Sequence, residues 1–328
     1  MSTLSTLTPK GSYWVTVRQH RRTLWAAAAA VALALAVIGS LRIWDARTPD
    51  SLLRQDQWVP ANDSGHAALR LAVEYGGGAL ILLPLLVAAF VAGPLVAREY
   101  ETGTYRLSLT QSVRPVVWLR TKLVTATVAA LLTALALTGV FRIGWVRVSG
   151  PGGTAWDPGP YVATGVVLFA QLLAAVAVGA LIGQLIRRTL LAMATTGLVL
   201  GVVLLVLGRL RWSLLPVERI TGPAAAPLWP SPRSLVMEEG MLTATGDRFD
   251  QGICWSEVNR TPGLDADPNL WEKVFARCLD QNGITTRFVD YHPPARFWPT
   301  QLAETGIVLA LAALALFAAF RVLRARHP

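Results

Sequence analysis

The chain has 328 residues, of which 53% are hydrophobic and only 15% charged, against about a quarter charged in a typical soluble domain. The apolar residues gather in six uninterrupted blocks, each long enough to cross a hydrocarbon core of about 30 Å. This excludes a set of ordinary soluble domains and predicts an all-α integral membrane protein with six transmembrane helices. The formal net charge of +10 raises nucleic-acid binding as a reading, which the placement of the charges argues against.

The first predicted span is Thr23 to Leu41, with Trp25 and Trp44 near its ends, where indole rings favour the headgroup layer. The second is Ala79 to Ala97. It holds Pro84 and Pro94, so a kink is expected where neighbouring helices satisfy the freed carbonyls. The third is Leu123 to Phe141, the fourth Tyr161 to Ile186 and the fifth Thr189 to Leu207. Only Arg187 and Arg188 separate the last two, which predicts a tight antiparallel pair. The sixth is Leu302 to Phe320, with Trp298 as an interfacial anchor at its start.

Basic residues flanking the spans set orientation. With the N-terminus in the cytoplasm, the cytoplasmic segments hold fourteen basic residues and two acids, Glu99 and Glu101. The other side holds sixteen basic and eighteen acidic residues, so the whole basic excess lies on one face. Both termini are then cytoplasmic, and the excess reads as orientation and attraction to anionic lipid, not as a nucleic-acid surface. The two cysteines, Cys254 and Cys278, fall outside on the same assignment, where disulfides persist. A metal pair is the rival reading, but two thiols with no nearby His make a poor zinc site, and no metal is expected.

Gly11 to Arg22 mixes Trp14, Val15 and Val17 with Arg18, Arg21 and Arg22. It reads either as an interfacial helix on the inner leaflet, anchored by Trp14 and Arg18, or as a basic orientation signal. The segment 45–78 is polar and reads as partly helical; 142–160 is rich in Gly and Pro and has no regular pattern. Residues 209–301 are long enough for a small external domain. There Asp267 and Pro268 mark a helix start, followed by Leu270, Trp271, Val274, Phe275, Cys278 and Leu279 on one face. Met241 to Thr245 and Ile284 to Tyr291 read as short strands. The division expected is therefore 1–22 as tail and interfacial helix, 23–208 as spans one to five, 209–301 as the external domain and 302–328 as the sixth span and tail.

No phosphate-binding loop, H-E-x-x-H or G-x-S-x-G element occurs. The spans hold almost nothing ionisable, whereas ion-driven pumps need intramembrane acids or His. Any work done must draw its energy from another subunit, and the chain is not expected to be an enzyme.

The most informative segment lies between the second and third spans: Arg98-Glu99-Tyr100-Glu101-Thr102-Gly103-Thr104-Tyr105-Arg106, then Leu107 to Gln111, Val113-Arg114, Trp118 and Lys122. Gly103 allows a turn, Thr104 can cap a following helix, and Arg114 and Lys122 can anchor at the headgroups. The segment resembles the coupling loop of type-2 (drug and antibiotic export) ABC exporter permeases, an E-x-x-x-G-T element followed by a leucine-containing stretch, a Val-x-Arg-like turn and a Lys opening the next span. The matching positions are Glu99 (or Glu101), Gly103, Thr104, Leu107, Leu109, Val113, Arg114 and Lys122; Pro115 and Val116 depart from the usual polar residues. The segment 252–301 is similar to external loops of actinobacterial members.

The resemblance implies a bacterial cytoplasmic-membrane permease subunit that pairs with a second permease subunit, as a homodimer, and docks on a separate ABC ATP-binding subunit through loop 98–116. ATP and Mg would sit on that partner, with no cofactor in this chain. A non-transporting resistance, sensory or scaffold protein of the same fold is the competing reading.

Overall fold

A computed structural model describes residues 18, 20–47, 51–54, 57–60, 64–105, 114–149, 155–224, 226–263, 267 and 269–326. Most of the N-terminal segment 11–22, with Trp14, and loop residues 106–113, with Leu107, Leu109 and Val113, therefore lie outside the described residues. The chain divides into two compact units, residues 1–212 with 300–328, and residues 213–299.

Among the described residues six helices are long and apolar enough to cross a membrane: Arg21–Ala46, Gly65–Thr102, Pro115–Val148, Val167–Ile186, Thr189–Ser213 and Pro294–Arg326. They correspond to the six apolar blocks, because in lipid every backbone polar group must be satisfied within the segment. Most run beyond the block that announces them. The second begins at Gly65, within the polar stretch 45–78 before it, and the third begins at Pro115, eight residues before Leu123. A helix continues into water once its apolar part has spanned the core, so hydropathy alone understates its length.

The second span is not one regular helix. An α-helix over Ser64–Leu86 passes into a π-helical turn, Val87–Ala92, and then a further α-helix, Gly93–Thr102. Pro84 and Pro94 bracket the change. Each proline removes a backbone donor, and the π turn is where the hydrogen-bond ladder resets.

The fourth span is the most enclosed of the six and the first the least. It packs on the second and fifth spans through small residues. A Cβ added at Gly179 would lie 2.4 Å from Ala92 Cβ, and one at Gly183 would lie 3.1 Å from the Ala97 nitrogen. Gly93 of the second span meets the Met193 backbone of the fifth in the same way, at 2.9 Å. Gly179 and Gly183 form the G-x-x-x-G spacing that lets two backbones approach in lipid.

The fourth block, expected as one helix from Tyr161, is broken. A short helix, Pro158–Thr164, ends at Gly165, and the span proper starts at Val167. The sixth-span residue Gln301 repairs the break. Its Nε2 donates to the Tyr161 carbonyl at 2.7 Å, and its Oε1 accepts from the Val167 amide at 3.2 Å. The amide occupies the space that a Cβ on Gly165 would need, so a glycine there makes room for the group that satisfies the broken backbone.

Outside the spans, Ser51–Arg54 (β1) pairs antiparallel with Gln57–Pro60 (β2), and the helical part expected within 45–78 is the stretch from Ser64 that leads into the second span. The unit 213–299 carries a four-stranded antiparallel sheet of Glu218–Pro223 (β3), Leu235–Leu242 (β4), Arg248–Phe249 (β5) and Thr286–His292 (β6), in the order β3-β6-β4-β5. The helical expectation therefore holds for the six membrane-spanning helices, with the β1–β2 hairpin in the larger unit and the four-stranded sheet in the smaller one. Both expected strands exist, with shifted ends; β3 and β5 escaped the sequence because β3 carries a single large apolar residue, Ile220, and β5 is two residues long.

Two helices, Gly252–Arg260 and Leu270–Gln281, complete this unit. Asp267 Oδ1 accepts from the Asn269 amide at 2.9 Å beside the second helix start. Cys254 and Cys278 form a disulfide that joins the two helices, within a core of Met241, Leu279 and Ile284. Trp271, expected on the buried face, is 43% exposed and stacks on Trp255 with ring centroids 5.9 Å apart. Arg219 donates to both oxygens of Asp290 across β3 and β6, at 2.6 and 2.7 Å, and this hydrogen-bonded guanidinium holds the Asp290 carboxyl below the usual carboxylate range.

Candidate functional site

The second span ends in a left-handed residue. Gly103 closes the helix Gly93–Thr102 at φ 73° and ψ 0°, a conformation open to glycine without a Cβ penalty. At the other end of the loop Arg114 is extended, at φ −60° and ψ 136°, and Pro115 opens the third span. Extended backbone before proline and proline in the first helical turn are the expected local choices. The segment 103–114 thus leaves one span and joins the next at defined points.

Both points are tied to neighbouring spans. Glu99 is 7% exposed. Its Oε2 accepts from Trp118 Nε1 at 3.0 Å, and its Oε1 pairs with Lys122 Nζ. The Lys122 ammonium also lies over the Trp118 ring, 5.5 Å from its centroid. Tyr100 meets Trp118 edge-on at 6.2 Å and Tyr105 at 4.7 Å. Glu101 caps the fifth span, its Oε2 accepting from the Thr189 amide at 2.9 Å. A carboxylate there satisfies an orphan donor and meets the positive end of the helix dipole. The Arg187 guanidinium, in the tight turn between the fourth and fifth spans, sits over Tyr100 at 5.6 Å.

The remaining span ends gather at the same end of the bundle. Arg326, at the end of the sixth span, donates to the Gln184 carbonyl of the fourth. His20, just before the first span, is half-buried close to Lys122, Glu99 and Arg98. Burial first, and the Lys122 charge second, hold its imidazole below the ordinary value.

The expected site residues sort into two sets. Glu101, Thr104 and Arg114 are exposed, and Gly103 is partly so. Thr104 Oγ1 bonds with Thr102 Oγ1 at 2.9 Å; the residues it was expected to cap lie outside the described ones. Glu99 and Lys122 are inside. Lys122 was expected at the headgroups, but it is 3% exposed and turned onto Glu99. The reason is the early helix start: with Pro115 first, Lys122 lies two turns within the span, and a buried ammonium there needs a carboxylate. Among the expected anchors, Arg18 and Trp298 are exposed.

The opposite end of the bundle holds a second set of buried polar groups. Arg211 Nε and Nη2 donate to Glu304 Oε2 and Oε1 at 2.7 and 2.9 Å. Glu304 is fully enclosed and also accepts from the Tyr161 hydroxyl at 3.1 Å. At the ends of the first and third spans, Asp45 takes Arg147 Nε at 2.8 Å and contacts His66 Nδ1 at 3.1 Å. An acid inside an apolar block requires a partner, so Glu304 was a usable signal; Arg211, ninety-three positions away, was not readable as that partner.

A family model described as ABC-2 membrane transporter related matches residues 24–211. This range takes in the first five spans and the whole of the segment 98–122. No curated protein matches the chain, and no solved structure does.

Proposed function

The chain belongs to the ABC-2 membrane transporter related family, and on that premise we propose that it is the permease subunit of an ATP-driven exporter. It pairs with a second copy of itself and docks on a separate ATP-binding subunit, which carries the ATP and Mg. It lies in a bacterial cytoplasmic membrane with both termini inside. The docking surface is the loop from Gly103 to Arg114, which includes Thr104, with Glu101 beside it.

The observation that carries this reading is the way the loop is mounted. Glu99 is tied to the third span through Trp118 and Lys122, and Glu101 is tied to the fifth through Thr189. A push on the loop would therefore be felt by three spans at once. A partner shifts a conformational equilibrium only through contacts that differ between the two states, and a loop gripped by several helices supplies such contacts. In this reading Glu99 and Lys122 are positioning residues, and the exposed Glu101, Thr104 and Arg114, with the partly exposed Gly103, meet the ATPase.

The test is nucleotide hydrolysis by the chain copurified with its ATP-binding subunit. Glu101→Lys and Gly103→Val should each lower the coupled rate about tenfold, the scale of a loss of 1–2 kcal/mol at an interface. Valine at Gly103 also meets the left-handed backbone penalty. Parent-level hydrolysis and transport in both variants, with both subunits still assembled, would remove the loop from the mechanism.

A further inference from the structure

A groove of about 480 Å³ opens between the third, fourth and sixth spans. Its walls are apolar, with Val124 and Val128 on the third span, Leu173 on the fourth, and Ala313, Leu316 and Phe320 on the sixth. Arg120 stands at one end, and Thr127 is the other polar lining residue. The volume is inside the range of about 300–1,000 Å³ usual for small-molecule sites. The groove is open along its side, with Val124 and Val128 both exposed, so a ligand would enter laterally from the bilayer.

The charges are at one end only. Arg120 is exposed, and it lines the groove together with Phe320. Arg324 is exposed too, and it falls one turn beyond Phe320 on the same helical face, since positions four apart are neighbours. Among the described residues neither guanidinium has an ion-pair partner, whereas Arg147, Arg211 and Arg219 each hold a carboxylate. Two unneutralised guanidiniums at the mouth of an apolar slot are complementary to an anionic head with a hydrocarbon tail.

The length fits as well. Arg120 to Val128 is about 12 Å along a helix, and Leu309 to Phe320 about 16 Å, at 1.5 Å per residue. One leaflet of the hydrocarbon core is about 15 Å deep. We propose that this groove is a binding site for an anionic phospholipid, one acyl chain lying between the third, fourth and sixth spans and the phosphate held by Arg120 and Arg324. The site is separate from the loop 103–114 and does not depend on the transport reading.

The test is lipid retention. The full chain is reconstituted in vesicles of equal parts phosphatidylglycerol and phosphatidylcholine, extracted in mild detergent and weighed by native mass spectrometry. The parent should keep phosphatidylglycerol in preference to phosphatidylcholine. The double variant Arg120→Gln, Arg324→Gln should lose about thirtyfold of that preference, since each surface arginine is worth roughly a factor of five. The Lys pair at the same positions should restore it. Ala313→Trp, which fills the slot and leaves every charge in place, should release the lipid, and it reports even if the double variant does not fold. Arg209→Gln, an exposed arginine outside the groove, should change nothing. Equal retention of the two lipids by the parent, an undiminished preference in the double Gln variant, or an equal loss with Arg209→Gln would each overturn the site. So would a change in oligomeric state with Ala313→Trp, because a second copy would then be the occupant.

Discussion

Glu99 and Lys122 show how one side chain's surroundings decide which experiment is informative about it. Both are inside the bundle, paired with each other and with Trp118. Removing one member of a buried pair leaves an uncompensated charge at a cost of about 3–5 kcal/mol, whereas replacing both by apolar groups of similar size is often neutral. Lys122→Ala should therefore lower the melting temperature of the purified chain sharply, and Glu99→Leu combined with Lys122→Met should regain most of it. A stable Lys122→Ala chain would release Glu99 to act on a partner directly. In the smaller unit, Arg219 keeps Asp290 charged to lower pH than in the unfolded chain. The stability from this pair is present above the unfolded carboxyl value of about 3.9 and drains away as pH falls through the lower folded value. Hydrogen exchange of β3 and β6 amides, corrected for intrinsic rates, should rise on acidification below about pH 4, and Asp290→Asn should flatten that dependence.

At the scale of the helix, close approach governs. Gly179 faces the backbone of Ala92 in the π-helical turn, and a methyl there would sit 2.6 Å from the Ala92 carbonyl carbon. Gly39, in the first span, has nothing within 4 Å of such a methyl. The same substitution should have opposite signs at the two places. Gly179→Ala forces apart two packed spans at about 1–3 kcal/mol, while Gly39→Ala should stabilise by about 0.5–1 kcal/mol through helix propensity. Melting of the two variants in detergent beside the parent checks both signs. The broken fourth block follows the same logic: Gly165 makes room, and Gln301 supplies the hydrogen bonds that the interrupted helix lacks.

The molecule as a whole carries two kinds of stability. The membrane-spanning unit rests on backbone hydrogen bonds in an apolar medium and on small-residue contacts. The unit 213–299 has a modest core, and its disulfide closes a loop with a sequence separation of 24. Such a loop contributes roughly 3 kcal/mol in the chain-entropy picture. Cys254→Ser with Cys278→Ser should make trypsin cut within 213–299 at a lower temperature, with the six spans still protected. Simultaneous loss of protection in both units would mean that they unfold as one.

The amino-acid pattern alone determined that there are six spans, because an apolar block of that length has one stable form in lipid. It also marked the segment after the second span as distinctive, through Gly103 and the charges around it, and placed the two cysteines together in one stretch. Their bond, the sheet beside them and the partners of the buried charges were settled by the tertiary structure. Lys122 finds Glu99 across 23 positions, and Arg211 finds Glu304 across 93. No local pattern encodes such pairings: hydropathy and propensity act over a few turns, whereas which side chain satisfies a buried charge depends on which helices become neighbours.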